Sequence, residues 1–95
     1  MSADPPLDPL ERVRTSIEQL DQRIIDLIGE RVELSRQVGT LKRSAGLPTL
    51  DPAREATVLR RVASQARAAQ LPDEPVREIF WHVIALCRAA QTGDA

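Results

Sequence analysis

An all-α fold of three helices, one of them very long, is what this sequence predicts, on three observations. Aromatic residues make up 2% of the chain, one Phe and one Trp, while Ala, Leu, Arg, Glu and Gln dominate, a composition that disfavours a sheet. Proline and glycine divide the chain into three helical stretches without internal repeats or low-complexity segments. Within the first stretch, apolar residues recur every 3.5 positions from Leu10 to Leu41.

Each element has its own start and stop. The first opens at Asp8-Pro9-Leu10-Glu11, where Asp8 can cap, Pro9 suits the first helical position and Glu11 can complete a capping box. Ser44-Ala45-Gly46 supplies the stop, giving a helix of roughly 36 residues and ~54 Å at 1.5 Å per residue. The second starts at Asp51-Pro52 with the same cap chemistry and runs to about Ala69. The third begins within Leu71-Pro72-Asp73-Glu74-Pro75 and continues to about Gln91. Residues 1–95 read as a single domain, with 1–7 and 92–95 as frayed tails.

Composition excludes several classes. With 13 Lys+Arg against 14 Asp+Glu, the net charge is −1, and helix one carries seven charges of each sign between Asp8 and Arg43, which argues against a basic nucleic-acid stripe. No apolar run approaches the ~20 residues of a membrane helix. The single Cys rules out an internal disulfide, and with only one His no metal site is expected. The first eight residues are acidic and proline-rich, unlike a secretory signal, so a cytoplasmic protein is expected.

The first helix is too long for its own globule. A compact domain of this size has a radius of gyration of about 12 Å, hence a diameter of roughly 32 Å, against ~54 Å of helix. The heptad seam Leu10, Val13, Ile17, Leu20, Ile24, Leu27, Arg31, Leu34, Val38, Leu41 therefore wants a partner along its length, and a second copy in a two-fold homodimer is the expected one.

Arg31 interrupts that seam and needs an anion. It is either a register-fixing or snorkelling polar residue, or part of a ligand site with Lys42, which lies eleven residues on, rotated by only ~20° and raised by ~16 Å. Arg14 is too far along the helix to join them within one chain. In an antiparallel pair crossing near residue 25 or 26, Arg14 of one chain faces positions 36 to 38 of the other; a surface ion pair with Glu11 or Glu18 is the alternative.

Helix two carries the apolar stripe Leu59, Val62 and Ala66, and stepping back four residues puts Glu55 on it. Asp51 reads as a cap that could also serve a ligand. Arg54 and Glu55 are either site residues or an exposed pair. On helix three, Phe80, Ile84, Cys87 and Gln91 share a stripe, with Cys87 most simply a small core residue and Gln91 either a frayed end or an inward donor; His82 falls off it and should be exposed. Cations, one carboxylate and one amide without an activated nucleophile suit a small dicarboxylate, held in one conformation while developing charge is stabilised.

From Leu10 to Gln91 the chain resembles the all-helical chorismate mutases of the shikimate pathway, through Arg14, Leu20-Asp21, Glu30-Arg31, Val38-Gly39 with Lys42, Pro48, Asp51, Arg54-Glu55 and Gln91. The resemblance implies an intertwined dimer of three-helix chains with two active sites, and the rearrangement of chorismate to prephenate without a cofactor. Arg14 from the partner chain and Arg31 would bind the two substrate carboxylates, with Arg54 near one of them. Lys42 and Gln91 would donate to the ether oxygen, Glu55 would accept the substrate hydroxyl, and the Asp51 turn would help orient it. Cys87 departs from the pattern, since many relatives have a hydroxyl residue there to contact a carboxylate. Two other readings compete: an isochorismate-pyruvate lyase, against which Glu55 speaks, and a noncatalytic helical dimerisation or regulatory module.

Overall fold

The computed structural model describes residues 8–93 and is all-helical over them, with α1 at Pro9–Ser44, α2 at Pro52–Ala68 and α3 at Asp73–Thr92. Of the tails expected at 1–7 and 92–95, residues 1–7 and 94–95 lie outside the described residues, while Thr92 is not frayed but helical and Gly93 closes α3 in the left-handed conformation at φ 84°. Both predicted caps form. The Asp8 carboxylate accepts from the Glu11 N–H at 2.8 Å and the Asp51 carboxylate from the Arg54 N–H at 3.1 Å, each just ahead of a proline that lacks the N–H its position would waste.

The stops are equally local. At the end of α1, Leu47 N–H donates to the Lys42 carbonyl at 2.8 Å and Gly46 N–H to the Arg43 carbonyl at 3.2 Å, a paired closure that needs the positive φ of Gly46, 69°. Pro48 then prevents continuation. Helix α2 closes with the same pair of bonds around Gln70, a non-glycine residue held at φ 61°. An Arg67–Asp73 ion pair of 2.8 Å ties the end of α2 to the start of α3.

Helix α3 packs on both α1 and α2, which do not pack on each other. Val58, Val62 and Ile84 form a small core between α2 and α3, backed by Leu59, Val76 and Phe80. The inward face of α2 is therefore Val58, Val62, Ala63 and Ala66, with Leu59 only partly covered: the expected stripe is rotated by about one residue toward Val58. Against α3, α1 buries only Ser35 and Gly39. A Cβ on Gly39 would overlap the Gln91 main chain, lying 2.8 Å from its Cα and closer still to its carbonyl oxygen, so glycine is what lets α3 come this near.

The rest of α1 projects beyond this body. The chain measures 67 × 31 × 16 Å with a radius of gyration of 18.6 Å, half as large again as a compact chain of about 12 Å. Leu10, Val13, Ile17, Leu20, Ile24, Leu27, Leu34, Val38 and Leu41 of the predicted seam are all exposed in the single chain. Among the described residues no helix is long and apolar enough to cross a membrane.

Candidate active site

Because α1 and α2 meet only through α3, a cleft of about 470 Å³ remains in the angle between them. Each wall is one helical stripe. Helix α1 presents Arg31, Ser35, Val38 and Lys42 at i, i+4, i+7 and i+11; α2 presents Arg54, Val58 and Arg61 at i, i+4 and i+7, with Glu55 beside them. The floor is Ile84, Cys87 and Gln91 of α3, and the Asp51 cap closes one end. Seven of the eight residues singled out in the sequence thus line one cleft: Arg31, Lys42, Asp51, Arg54, Glu55, Cys87 and Gln91.

The eighth does not reach it. Arg14 lies on the projecting part of α1 and pairs with Glu11 at 3.0 Å, one of the two partners anticipated for it. His82 is exposed, as expected, and no group of His, Cys, Asp or Glu among the described residues could hold a metal ion.

Lys42 and Gln91 are bonded to each other. The Lys42 ammonium donates to Gln91 Oε1 at 2.9 Å and to the Thr49 carbonyl at 2.8 Å. Lysine can only donate, so this contact turns the amide oxygen of Gln91 toward Lys42 and leaves its NH₂ group, together with the third Lys42 N–H, uncommitted at the cleft. The Gln91 main chain is held as firmly, since Arg43 donates to its carbonyl at 2.6 Å and Gly39 lies against it. Gln91 is therefore no frayed end.

Glu55 pairs with a residue that the sequence reading missed. Arg88 of α3 donates through Nε to Oε2 at 2.9 Å and through Nη2 to Oε1 at 2.6 Å, a two-pronged grip in a half-buried setting. The hydrogen bonds from Arg88 hold the Glu55 carboxyl below its ordinary range, with a smaller contribution from the Lys42 charge; burial and the nearby Asp51 push the other way without prevailing. The guanidinium of Arg88 is correspondingly raised by Glu55.

The charge balance of the cleft follows. Arg31, Arg54 and Arg61 make no side-chain hydrogen bond or ion pair among the described residues, and Lys42 bonds only to neutral oxygens. The two carboxylates that line the cleft are otherwise engaged, Asp51 at the α2 N-terminus and Glu55 with Arg88. Arg61 and Ser35 were also missed, although helical spacing could have found both: Arg61 is seven residues from Arg54, and Ser35 four from Arg31. Arg88 lies four residues from Ile84, at the edge of the α3 stripe, but spacing does not reveal its partner, which lies across the α2–α3 interface. Cys87 is buried to 2% exposure at the floor, both a core residue and a lining one.

Fold and cleft together define a small all-helical protein whose cleft is lined by more cations than anions. Comparison with known proteins supplies the family. The profile of chorismate mutase type II matches residues 13–92, and the chain belongs to that family. It is 34% identical over 82 residues to a 3-dehydroquinate dehydratase of Pyrobaculum aerophilum, covering 86% of this chain and 24% of that protein. It is 32% identical over 75 residues to a T-protein of Enterobacter agglomerans, covering 79% of this chain and 20% of that protein. The chain thus spans a quarter or less of both. A chorismate mutase of Methanocaldococcus jannaschii is 28% identical over 85 residues, covering 90% of this chain and 86% of its own length. Among solved structures, a conserved hypothetical protein from Pyrococcus furiosus superimposes with a TM-score of 0.71 at 30% identity, over 90% of this chain and 99% of that one.

Proposed function

We propose that this protein is a chorismate mutase, converting chorismate to prephenate by binding one conformer of the substrate and stabilising the charge that grows on its ether oxygen. The observation that carries the reading is the set of cations without carboxylate partners among the described residues, Arg31, Lys42, Arg54 and Arg61, around one cleft. Like charges gathered at one cleft repel one another, an anion bound among them relieves that repulsion, and guanidinium groups match carboxylates in plane and spacing.

In this mechanism Arg31 and Arg54 grip substrate carboxylates and hold the folded diaxial conformer, so that the carbons to be joined are already close. As the C–O bond breaks and the C–C bond forms, negative charge accumulates on the departing ether oxygen. The uncommitted N–H groups of Lys42 and Gln91 meet it, and because Lys42, Arg43 and Gly39 have already fixed Gln91, little reorganisation is needed at that moment. Glu55 accepts from the substrate hydroxyl, and the turn capped by Asp51 helps orient the same group. Cys87 supplies only a weak donor where many relatives have a hydroxyl, which lowers affinity more than rate. No proton is shuttled. Gln91 being neutral, activity persists above pH 7.

The working unit we propose is a homodimer in which two copies of α1 run antiparallel, covering the exposed seam and bringing Arg14 of each chain to the cleft of the other. Its substrate is a dianion that does not diffuse through a bilayer, which favours a cytoplasmic site of action.

A spectrophotometric assay of chorismate loss, with prephenate identified as the product, tests the activity; no turnover of chorismate, or pyruvate release from isochorismate instead, rejects it. The shared site has a separate test. Arg14→Ala and Gln91→Ala, each nearly inactive alone, should on mixing form heterodimers with one intact site and recover about a quarter of wild-type activity at statistical exchange. No recovery despite chain exchange would show that Arg14 acts within its own chain or not at all.

A further inference from the structure

We propose that Arg88 is a positioning residue for the reaction: gripping both oxygens of Glu55 from outside the cleft, it fixes the plane of that carboxylate, so that its remaining lone pairs meet the substrate hydroxyl. This rests on the mutase reading and extends it to a residue that does not itself line the cleft.

Three observations carry the inference. First, the contact is bidentate, at 2.9 and 2.6 Å, which defines an orientation as well as a charge pairing. Second, it joins two helices at the site: Glu55 stands on the first turn of α2, and Arg88 follows Cys87 on α3, next to the cleft floor. Third, an ionised carboxylate offers about four acceptor positions, of which Arg88 occupies two, so the grip leaves Glu55 able to accept from a ligand. Without Arg88, the carboxylate could rotate toward the unpartnered cations of the cleft, Arg31, Arg54 and Arg61, and compete with the substrate for them.

Arg88 also keeps Glu55 charged. The groups acting on this carboxyl are Lys42 from α1, Asp51 from α2 and Arg88 from α3; Arg88 and Lys42 favour the ionised form, while Asp51 and burial oppose it. A carboxyl held below its ordinary range stays ionised to lower pH, so the acid side of the activity profile is set partly by Arg88, and removing the guanidinium moves that side to higher pH.

The experiment measures kcat and KM for chorismate across pH in the wild type, Arg88→Gln and Arg88→Lys, with thermal unfolding of each and a carboxyl ¹³C NMR titration of Glu55. Arg88→Gln is expected to lower kcat/KM about tenfold at neutral pH and more in acid, with its acid limb and the Glu55 titration displaced upward together. Arg88→Lys, which keeps the charge without the planar fork, should return the acid limb close to the wild-type position while recovering only part of kcat/KM. In a Glu55→Gln background, Arg88→Gln should cost nothing further, because its effect passes through Glu55. A lower Tm with unchanged kcat, KM and pH profile would overturn the proposal and leave Arg88 a brace between α2 and α3. If Arg88→Gln does not fold, Arg88→Lys decides: wild-type kcat/KM in that variant overturns the need for a two-pronged grip. Wild-type protein unable to convert chorismate would overturn the mutase reading first, and is distinguishable because it is seen before any substitution.

Discussion

Helix α1 is one continuous helix in two different surroundings. From Pro9 to Glu30 the seam residues are large, Leu10, Val13, Ile17, Leu20, Ile24 and Leu27, and every one is exposed. From Arg31 to Ser44 the positions buried in this chain are Ser35 and Gly39, two of the smallest residues available. Size, rather than hydrophobicity, marks where the chain covers itself. Small residues let α3 approach until its main chain lies against α1, whereas large ones reach outward to meet a surface that this chain does not possess. The projecting half is an apolar face that this chain leaves uncovered. The clasped half is covered, and its closeness is what holds Lys42 and Gln91 together at the cleft.

Substitutions that act on only one half sharpen that contrast. The largest effect belongs to the clasped half, at the two donors: Lys42→Ala and Gln91→Ala should each lower kcat at least about a hundredfold while the protein remains folded and its oligomeric state unchanged. Steady-state kinetics with circular dichroism checks both parts, and near-normal turnover by either variant would remove the assigned role. Gly39→Ala comes next. The added Cβ meets backbone rather than a yielding side-chain tip, so α1 and α3 must separate; stability should fall by about 1–3 kcal/mol in denaturant titration, and activity should fall with it because Gln91 moves.

In the projecting half, Ile24→Lys should leave helix content and the α2–α3 core intact while shifting sedimentation at micromolar concentration from dimer to monomer mass. In the proposed dimer its activity should also drop, because Arg14 would no longer reach the partner's cleft, and a variant that remained dimeric would mean that the seam is covered in some other way. The smallest effect is expected at Gly29→Ala. Nothing within 4 Å would meet the new Cβ in this chain, so removing a helix-interior glycine should raise stability by up to ~1 kcal/mol, read as a higher Tm. A lower Tm would instead locate a close crossing of the partner helix at that residue.

The pH dependence of stability distinguishes the halves in another way. Glu55 has its carboxyl depressed in the folded chain, chiefly by the Arg88 hydrogen bonds. The Glu55–Arg88 tie between α2 and α3 is therefore fully present above the ordinary carboxylate range and is lost as pH falls through the depressed folded value. The surface pair Arg14–Glu11 on the projecting half is mostly exposed and should contribute little to stability.

Much of this was legible in the residues. Helix starts and stops follow from caps and turns whose bonds close within a few residues, which is why Asp8, Asp51 and Gly46 act in the structure as they read in the sequence. A stripe at helical spacing places its members on one wall whatever the helix packs against, as with Arg31 and Lys42 on α1 and Cys87 and Gln91 on α3. The rotation of the α2 stripe toward Val58 was less accessible, because it depends on the angle at which α3 crosses α2.

What the sequence alone determined is the set of local decisions: three helices, their ends, the faces they carry, and a first helix too long for its own body. What only the tertiary structure decided is which faces meet. The Arg88–Glu55 grip spans 33 residues of chain and the Lys42–Gln91 bond 49, and neither pairing leaves a periodic trace, since each depends on how α3 lies across two other helices. Local hydrogen bonds are fixed by a few neighbouring torsions. Contacts between helices are fixed by packing, in which the absence of one methyl group, at Gly39, sets where the Gln91 amide comes to rest.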